Sequence, residues 1–88
     1  MKIVFARQAL RDLESIQVYL RAEYPESAVL VERRLSLAFI RINEWPKSGQ
    51  VVDMPNIRAI SLVRYPYKIF YRVTDHIEIL AIRHSARQ

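Results

Sequence analysis

Eighty-eight residues with an apolar fraction of 51% and a single glycine suffice for one ordered domain, expected to span 1–88, and leave no room for a second. The chain has no cysteine and two histidines, His76 and His84. This excludes a disulfide frame and a thiolate metal site, and neither a metal nor any other cofactor is expected. A net charge of +5, from fourteen Lys/Arg against nine Asp/Glu, points to an acidic or polyanionic partner.

In chain order, residues 2–5 read as a short opening strand. A helix follows at about 7–22, where Ala9, Leu13, Ile16 and Leu20 form an i, i+4, i+7, i+11 stripe. Asp12 and Glu14 lie off that stripe and, with Glu23, read as dispersed surface carboxylates. Tyr24 is pushed out of the helical region by Pro25, which itself suits the first position of a new helix. That second helix runs from about 25 to 45, with Ala28, Val31, Leu35, Ala38, Phe39, Ile42 and Trp45 on one apolar face. Glu26 in its first turn complements the helix dipole. Pro46-Lys47-Ser48-Gly49 breaks it.

From residue 50 the period changes. Val51-Val52 suggests a short extended piece, and 57–64, 67–74 and 77–84 read as three strands rich in branched and aromatic residues. Their connectors, Tyr65-Pro66 and Asp75-His76, have hairpin length. The expected architecture is α+β, in the order β-α-α-β-β-β: an antiparallel sheet, closed by the opening strand, with a helical hairpin on one face.

Side chains alternate along a strand. On the middle strand of the meander Tyr67, Ile69, Tyr71 and Val73 should face the helices, leaving Lys68, Phe70, Arg72 and Thr74 on the open face. On the strand before it, Arg58, Ile60, Leu62 and Arg64 alternate with Ile57, Ala59, Ser61 and Val63. On the strand after it, Ile77, Ile79, Ala81 and Arg83 alternate with Glu78, Leu80, Ile82 and His84. Every strand is apolar on both faces, so a partner protein is expected to cover part of the second one.

The charge is uneven. Residues 1–53 carry eight Lys/Arg and seven Asp/Glu, a net of +1. Residues 54–88 carry Arg58, Arg64, Lys68, Arg72, Arg83 and Arg87 against Asp75 and Glu78, a net of +4. Eleven of the fourteen cations are arginine, whose planar fork suits phosphate and carboxylate. His84, flanked by Arg83 and Arg87, is the histidine best placed to move a proton, since nearby arginines favour its neutral form; a solvent-facing strand-end histidine is the plainer reading. No glycine-rich phosphate loop, Ser/His/Asp arrangement or paired catalytic carboxylate is present. Met1–Arg7 does not read as a signal peptide, and no stretch nears the ~20 apolar residues of a membrane span. A cytoplasmic protein with no membrane partner is expected.

The run Ala9-Leu10-Arg11-Asp12-Leu13-Glu14-Ser15-Ile16, with Tyr19-Leu20 and Tyr24-Pro25-Glu26-Ser27-Ala28, resembles the helical hairpin of ParE-type toxins. Ile57-Arg58, the run Tyr65–Val73, the run Ile77–His84 and Arg87 are similar to the meander and ending of the RelE/ParE superfamily. The resemblance spans nearly the whole chain and rests on the order of these motifs. It implies the toxin of a type II toxin–antitoxin pair, held in a hetero-oligomer by a cognate antitoxin whose acidic C-terminal segment wraps it. RelE-like members cleave messenger RNA in the ribosome, whereas ParE-like members block DNA gyrase without known nuclease chemistry.

Arg58, Lys68, Arg83 and His84 fall near the nuclease positions, but no tyrosine follows His84 where RelE members have a catalytic one. The Tyr-Pro-Tyr segment and the His-x-x-Arg ending favour gyrase, with Arg58, Arg83, His84 and Arg87 as target-binding residues. A ribosome-dependent mRNA endonuclease and a non-toxic protein-binding module on the same fold are the alternatives.

Overall fold

A computed structural model describes residues 1–85. The elements are β1 (Ile3–Phe5), α1 (Arg7–Glu23), α2 (Pro25–Glu44), β2 (Gln50–Val51), β3 (Ile57–Ser61), β4 (Tyr67–Val73) and β5 (Ile77–His84). The sheet order is β1-β5-β4-β3-β2.

The helix boundaries follow the local chemistry. Tyr24 sits at φ −142°, outside the helical region, and Pro25 opens α2 with Glu26 in its first turn. At the far end Trp45 leaves the helix at φ −133°. Trp45 therefore does not join the apolar face where its spacing put it, and 67% of its surface is exposed.

The meander β3-β4-β5 is antiparallel as expected, but the sheet as a whole is mixed, because β1 runs parallel to β5. A parallel pair cannot be joined by a tight turn and needs a long crossover. Both helices and three strands lie between β1 and β5, so no hairpin constrains their relative direction. A fifth strand, β2, pairs Gln50 and Val51 with Ala59 and Arg58. The 57–64 run is also shorter than its composition suggests: β3 ends at Ser61, and Arg64 takes a left-handed conformation at φ 77° in the connection to β4. Pro66 carries no N–H, and its carbonyl accepts from the amide of Ser85 instead.

The core lies between the helices and one sheet face. Ala9 and Leu20 of α1, and Ala28, Val31, Leu35 and Ile42 of α2, pack with Ile60, Leu62, Tyr67, Ile69, Tyr71, Ile77, Ile79 and Ile82. Phe5 meets Phe39 edge-on at 5.1 Å. Ile42, Ile69, Ile77 and Ile79 are fully enclosed, and each stabilises the fold by about 1.5–3 kcal/mol.

One irregularity sets the chemistry of the open face. Between Phe70 and Tyr71 the β4–β5 register slips: Phe70 opposes Ala81 while Tyr71 opposes Ile79. Leu80 is thus a bulge residue, and beyond it the alternation reverses. Ile82, not Ala81, is buried against the helices, and Arg83 stands opposite Lys68. The simple alternation that grouped Arg83 with Ile77 and Ile79 is corrected by this one extra residue.

Candidate functional site

The open face of the sheet forms a groove of about 700 Å³. Ile57 from β3, Phe70 from β4, and Leu80 and Ala81 from β5 make it apolar, and Val52 and Met54 border it from the segment after β2. That segment is stitched to the start of β3 by Val52 N–H to the Ile57 carbonyl and Ile57 N–H to the Met54 carbonyl, both 3.3 Å. The chain thus covers part of its own second face, which is why Ile57 and Ala59 are buried although they point away from the helices.

Lys68, Arg72 and Arg83 line the same groove. Arg72 Nη1 lies 3.2 Å from Glu78 Oε1, and Arg83 Nη1 lies 3.3 Å from Asp12 Oδ1. The Arg72–Glu78 pair is exposed and contributes no more than ~1 kcal/mol to stability, whereas in the Arg83–Asp12 pair the guanidinium is exposed and the carboxylate largely enclosed. Both arginines keep N–H groups open to the groove.

His84 borders this groove and also a smaller recess beside Ser15, Ile16 and Tyr19. Its ring meets Tyr67 edge-on at 5.4 Å, on the helix side to which the bulge turns it. Lys68, Arg83 and His84 are therefore brought to one end of the sheet.

Arg58 is not. It shares the inward alternation of Ile60, and its Nη1 donates to the Gly49 carbonyl at 2.9 Å and the Lys47 carbonyl at 3.2 Å. The same loop is held by Tyr71, whose Oη donates to the Pro46 carbonyl (2.8 Å) and accepts from Gly49 N–H (2.9 Å). Arg87 lies outside the described residues.

The sequence pattern missed Asp12. Its carboxylate accepts from the Ile82 amide at 2.9 Å as well as from Arg83. The available signal was its place three residues after Ala9 and four before Ile16, on the margin of the inward stripe.

Asp75 and His76 form a separate pair at the β4–β5 turn, 2.8 Å apart. The contact with His76, then the Thr74 hydroxyl, holds the Asp75 carboxyl below its ordinary value. Among the described residues no cluster of three or more His, Cys, Asp or Glu could hold a metal ion. No helix among them is long and apolar enough to cross a membrane.

A two-helix hairpin on a mixed five-stranded sheet is the fold of the RelE/ParE toxins. The chromosomal ParDE toxin–antitoxin structure from P. aeruginosa superposes with a TM-score of 0.83 at 24% identity, covering 96% of this chain and 95% of that one. The isolated E. coli RelE toxin gives 0.71 at 17% identity, covering 99% and 86%. In sequence, Y4kP of Sinorhizobium fredii (strain NBRC 101917 / NGR234), a protein named as a toxin, is 32% identical over 87 residues, 99% of this chain and 91% of its own length. Residues 3–88 match the family described as the ParE toxin of the type II toxin–antitoxin system parDE, and the chain belongs to that family.

Proposed function

We propose that the chain inhibits DNA gyrase by docking its open sheet face on the enzyme, and that a cognate antitoxin neutralises it. The observation that carries this reading is the composition of the groove. Its lining is mainly apolar, and two of its three cations already have carboxylate partners within the chain. A surface of this kind suits a protein partner with apolar and acidic groups better than a bare phosphate backbone, whose binding rests on cations alone.

The antitoxin follows from exposed apolar surface as well as from the family. Leu30, Leu37 and Ile40 on α2 are each about half exposed, with Arg34 and Arg41 interspersed along the same helix. An acidic segment that folds on binding would cover such a stripe. The P. aeruginosa structure is itself of a toxin–antitoxin system.

A specific feature favours the second reading, a ribosome-dependent mRNA endonuclease. Lys68 and Arg83 are cross-strand neighbours with His84 next in the chain, a grouping able to hold phosphate and move a proton.

The two readings separate in parallel assays: supercoiling by purified gyrase, and messenger integrity on translating ribosomes. Inhibited supercoiling with intact messenger is expected; cut messenger with normal supercoiling would overturn the gyrase reading. His84→Ala sharpens the result. A nuclease that uses this imidazole should lose about 10²–10⁴-fold in rate, whereas a docking surface keeps most of its inhibition. Growth arrest on expression of the chain alone, relieved by co-expression of the antitoxin, is expected, and normal growth at verified expression would contradict the toxin assignment.

A further inference from the structure

The strands leave one edge of the sheet half finished. β1 pairs with β5 only at Ile77, Glu78 and Ile79, and Ala6 N–H closes that stretch on the Ile79 carbonyl at 2.9 Å. Past the Leu80 bulge the outer edge of β5 meets no strand among the described residues; Asp12 of α1 reaches it instead. The Ile82 N–H would be left without an acceptor, and a buried unpaired amide costs about 1–3 kcal/mol. Asp12 supplies that acceptor from α1 through Oδ2 at 2.9 Å. Its side chain is 11% exposed, and Gln8 Nε2 donates to Oδ1 at 2.8 Å from the preceding turn.

The same carboxylate reaches Arg83. Nη1 lies 3.3 Å from both Asp12 oxygens, a long contact through one nitrogen rather than the short two-pronged grip of a strong Arg–carboxylate pair. The Arg83 side chain remains 55% exposed and stands beside Lys68, its partner on the adjacent strand. Such a contact orients the guanidinium while leaving its other N–H groups to an incoming partner.

We propose that Asp12 is a positioning residue for Arg83: one carboxylate closes the open edge of β5 and sets the direction in which Arg83 enters the groove. Its partner class is a carboxylate-bearing protein surface, because the guanidinium that Asp12 presents exchanges one carboxylate for another on docking. The functional half of this inference rests on the reading that the open face docks on gyrase.

Asp12→Asn separates the two tasks, because its amide oxygen still accepts from Ile82 N–H while the charge opposite Arg83 is gone. Slow exchange of the Ile82 amide should survive in Asp12→Asn and be lost in Asp12→Ala. Inhibition of supercoiling should fall about 5-fold in Asp12→Asn, on the scale of coupled neighbours. It should fall at least as far in Arg83→Ala, and no further in the double variant than in Arg83→Ala. Additive losses in the double variant, or full potency of Asp12→Asn beside a weakened Arg83→Ala, overturn the positioning role and leave the docking reading standing. Full potency of Arg83→Ala overturns the docking reading through this residue. Positioning is then decided by side-chain NMR of the Arg83 guanidinium, whose rotation should be restricted in the parent and released in Asp12→Asn; equal mobility in both overturns it.

Discussion

Arg58 on β3 and Arg83 on β5 flank β4 in one sheet, and both carry the charge that a docking or phosphate-binding surface needs. Their surroundings differ completely. Arg58 points to the helix side, where its Nη1 donates to the carbonyls of Lys47 and Gly49, beside a Tyr71 hydroxyl bonded to Pro46 and Gly49. Arg83 points to the open side, holds one long carboxylate contact, and stands beside Lys68 of the adjacent strand at the rim of an apolar groove. The same side chain is structural mortar in one place and an available contact in the other. What separates them is the strand face on which each falls, set for Arg83 by one bulge residue.

This contrast can be broken by substitution, and the largest effects should fall in the Arg58 region. Gly49 is tightly enclosed, because a Cβ there would lie 2.5 Å from Tyr71 Oη and 3.0 Å from the Ala59 carbonyl. Gly49→Ala should lose about 1–3 kcal/mol, the usual range for overpacking. Tyr71→Phe leaves the Gly49 N–H and the Pro46 carbonyl without their partner and should lose a similar ~1–3 kcal/mol. Urea melts of both variants measure this, and parent-like midpoints would show that the 46–49 loop is held by something else.

A smaller effect of opposite sign is expected at the β3–β4 connection. Arg64 adopts φ 77° with a full side chain, and glycine occupies that region without steric cost. Arg64→Gly should be stabilising by about 0.5–1 kcal/mol, after allowance for the extra freedom of glycine in the unfolded chain. A lowered melting temperature would mean that the arginine makes contacts worth more than its strain.

The smallest expected effect is a pH dependence at the β4–β5 turn. The contacts with His76 and Thr74 depress the Asp75 carboxyl. Its contribution is therefore fully present above the ordinary aspartate range and is lost as pH falls through the depressed folded value. NMR titration should place the Asp75 midpoint below 3.8, and Asp75→Asn should alter stability measurably only above that midpoint. An unshifted midpoint would remove the turn from the account.

Much of the fold was legible because hydrophobic period carries it. The stripes Ala9–Leu20 and Ala28–Ile42 mark the two helices, Pro25 and Pro46 punctuate them, and alternation along 67–73 gives the inward face of β4. The direction of β1 was not legible, since pairing between distant strands leaves no local mark. The bulge at Leu80 has no glycine or proline to announce it. Its only trace is the spacing of bulky inward residues, Ile77, Ile79 and then Ile82, where strict alternation would place the small Ala81. Arg58 could have been recognised from its phase with Ile60 and Leu62, because an arginine on an inward alternation must find acceptors there. Asp12 was harder. Its role depends on where β1 stops, and that belongs to the tertiary structure alone.

On the docking reading, the face bearing Arg83 contacts the target while the face bearing Arg58 maintains the fold. Supercoiling by purified gyrase, titrated with Arg83→Ala and Arg58→Ala at a temperature where thermal melts show both fully folded, tests it directly. Arg83→Ala should keep the parent melting temperature and lose most inhibition, and Arg58→Ala should melt lower yet inhibit like the parent when folded. Full inhibition by Arg83→Ala together with its loss in folded Arg58→Ala would contradict the account.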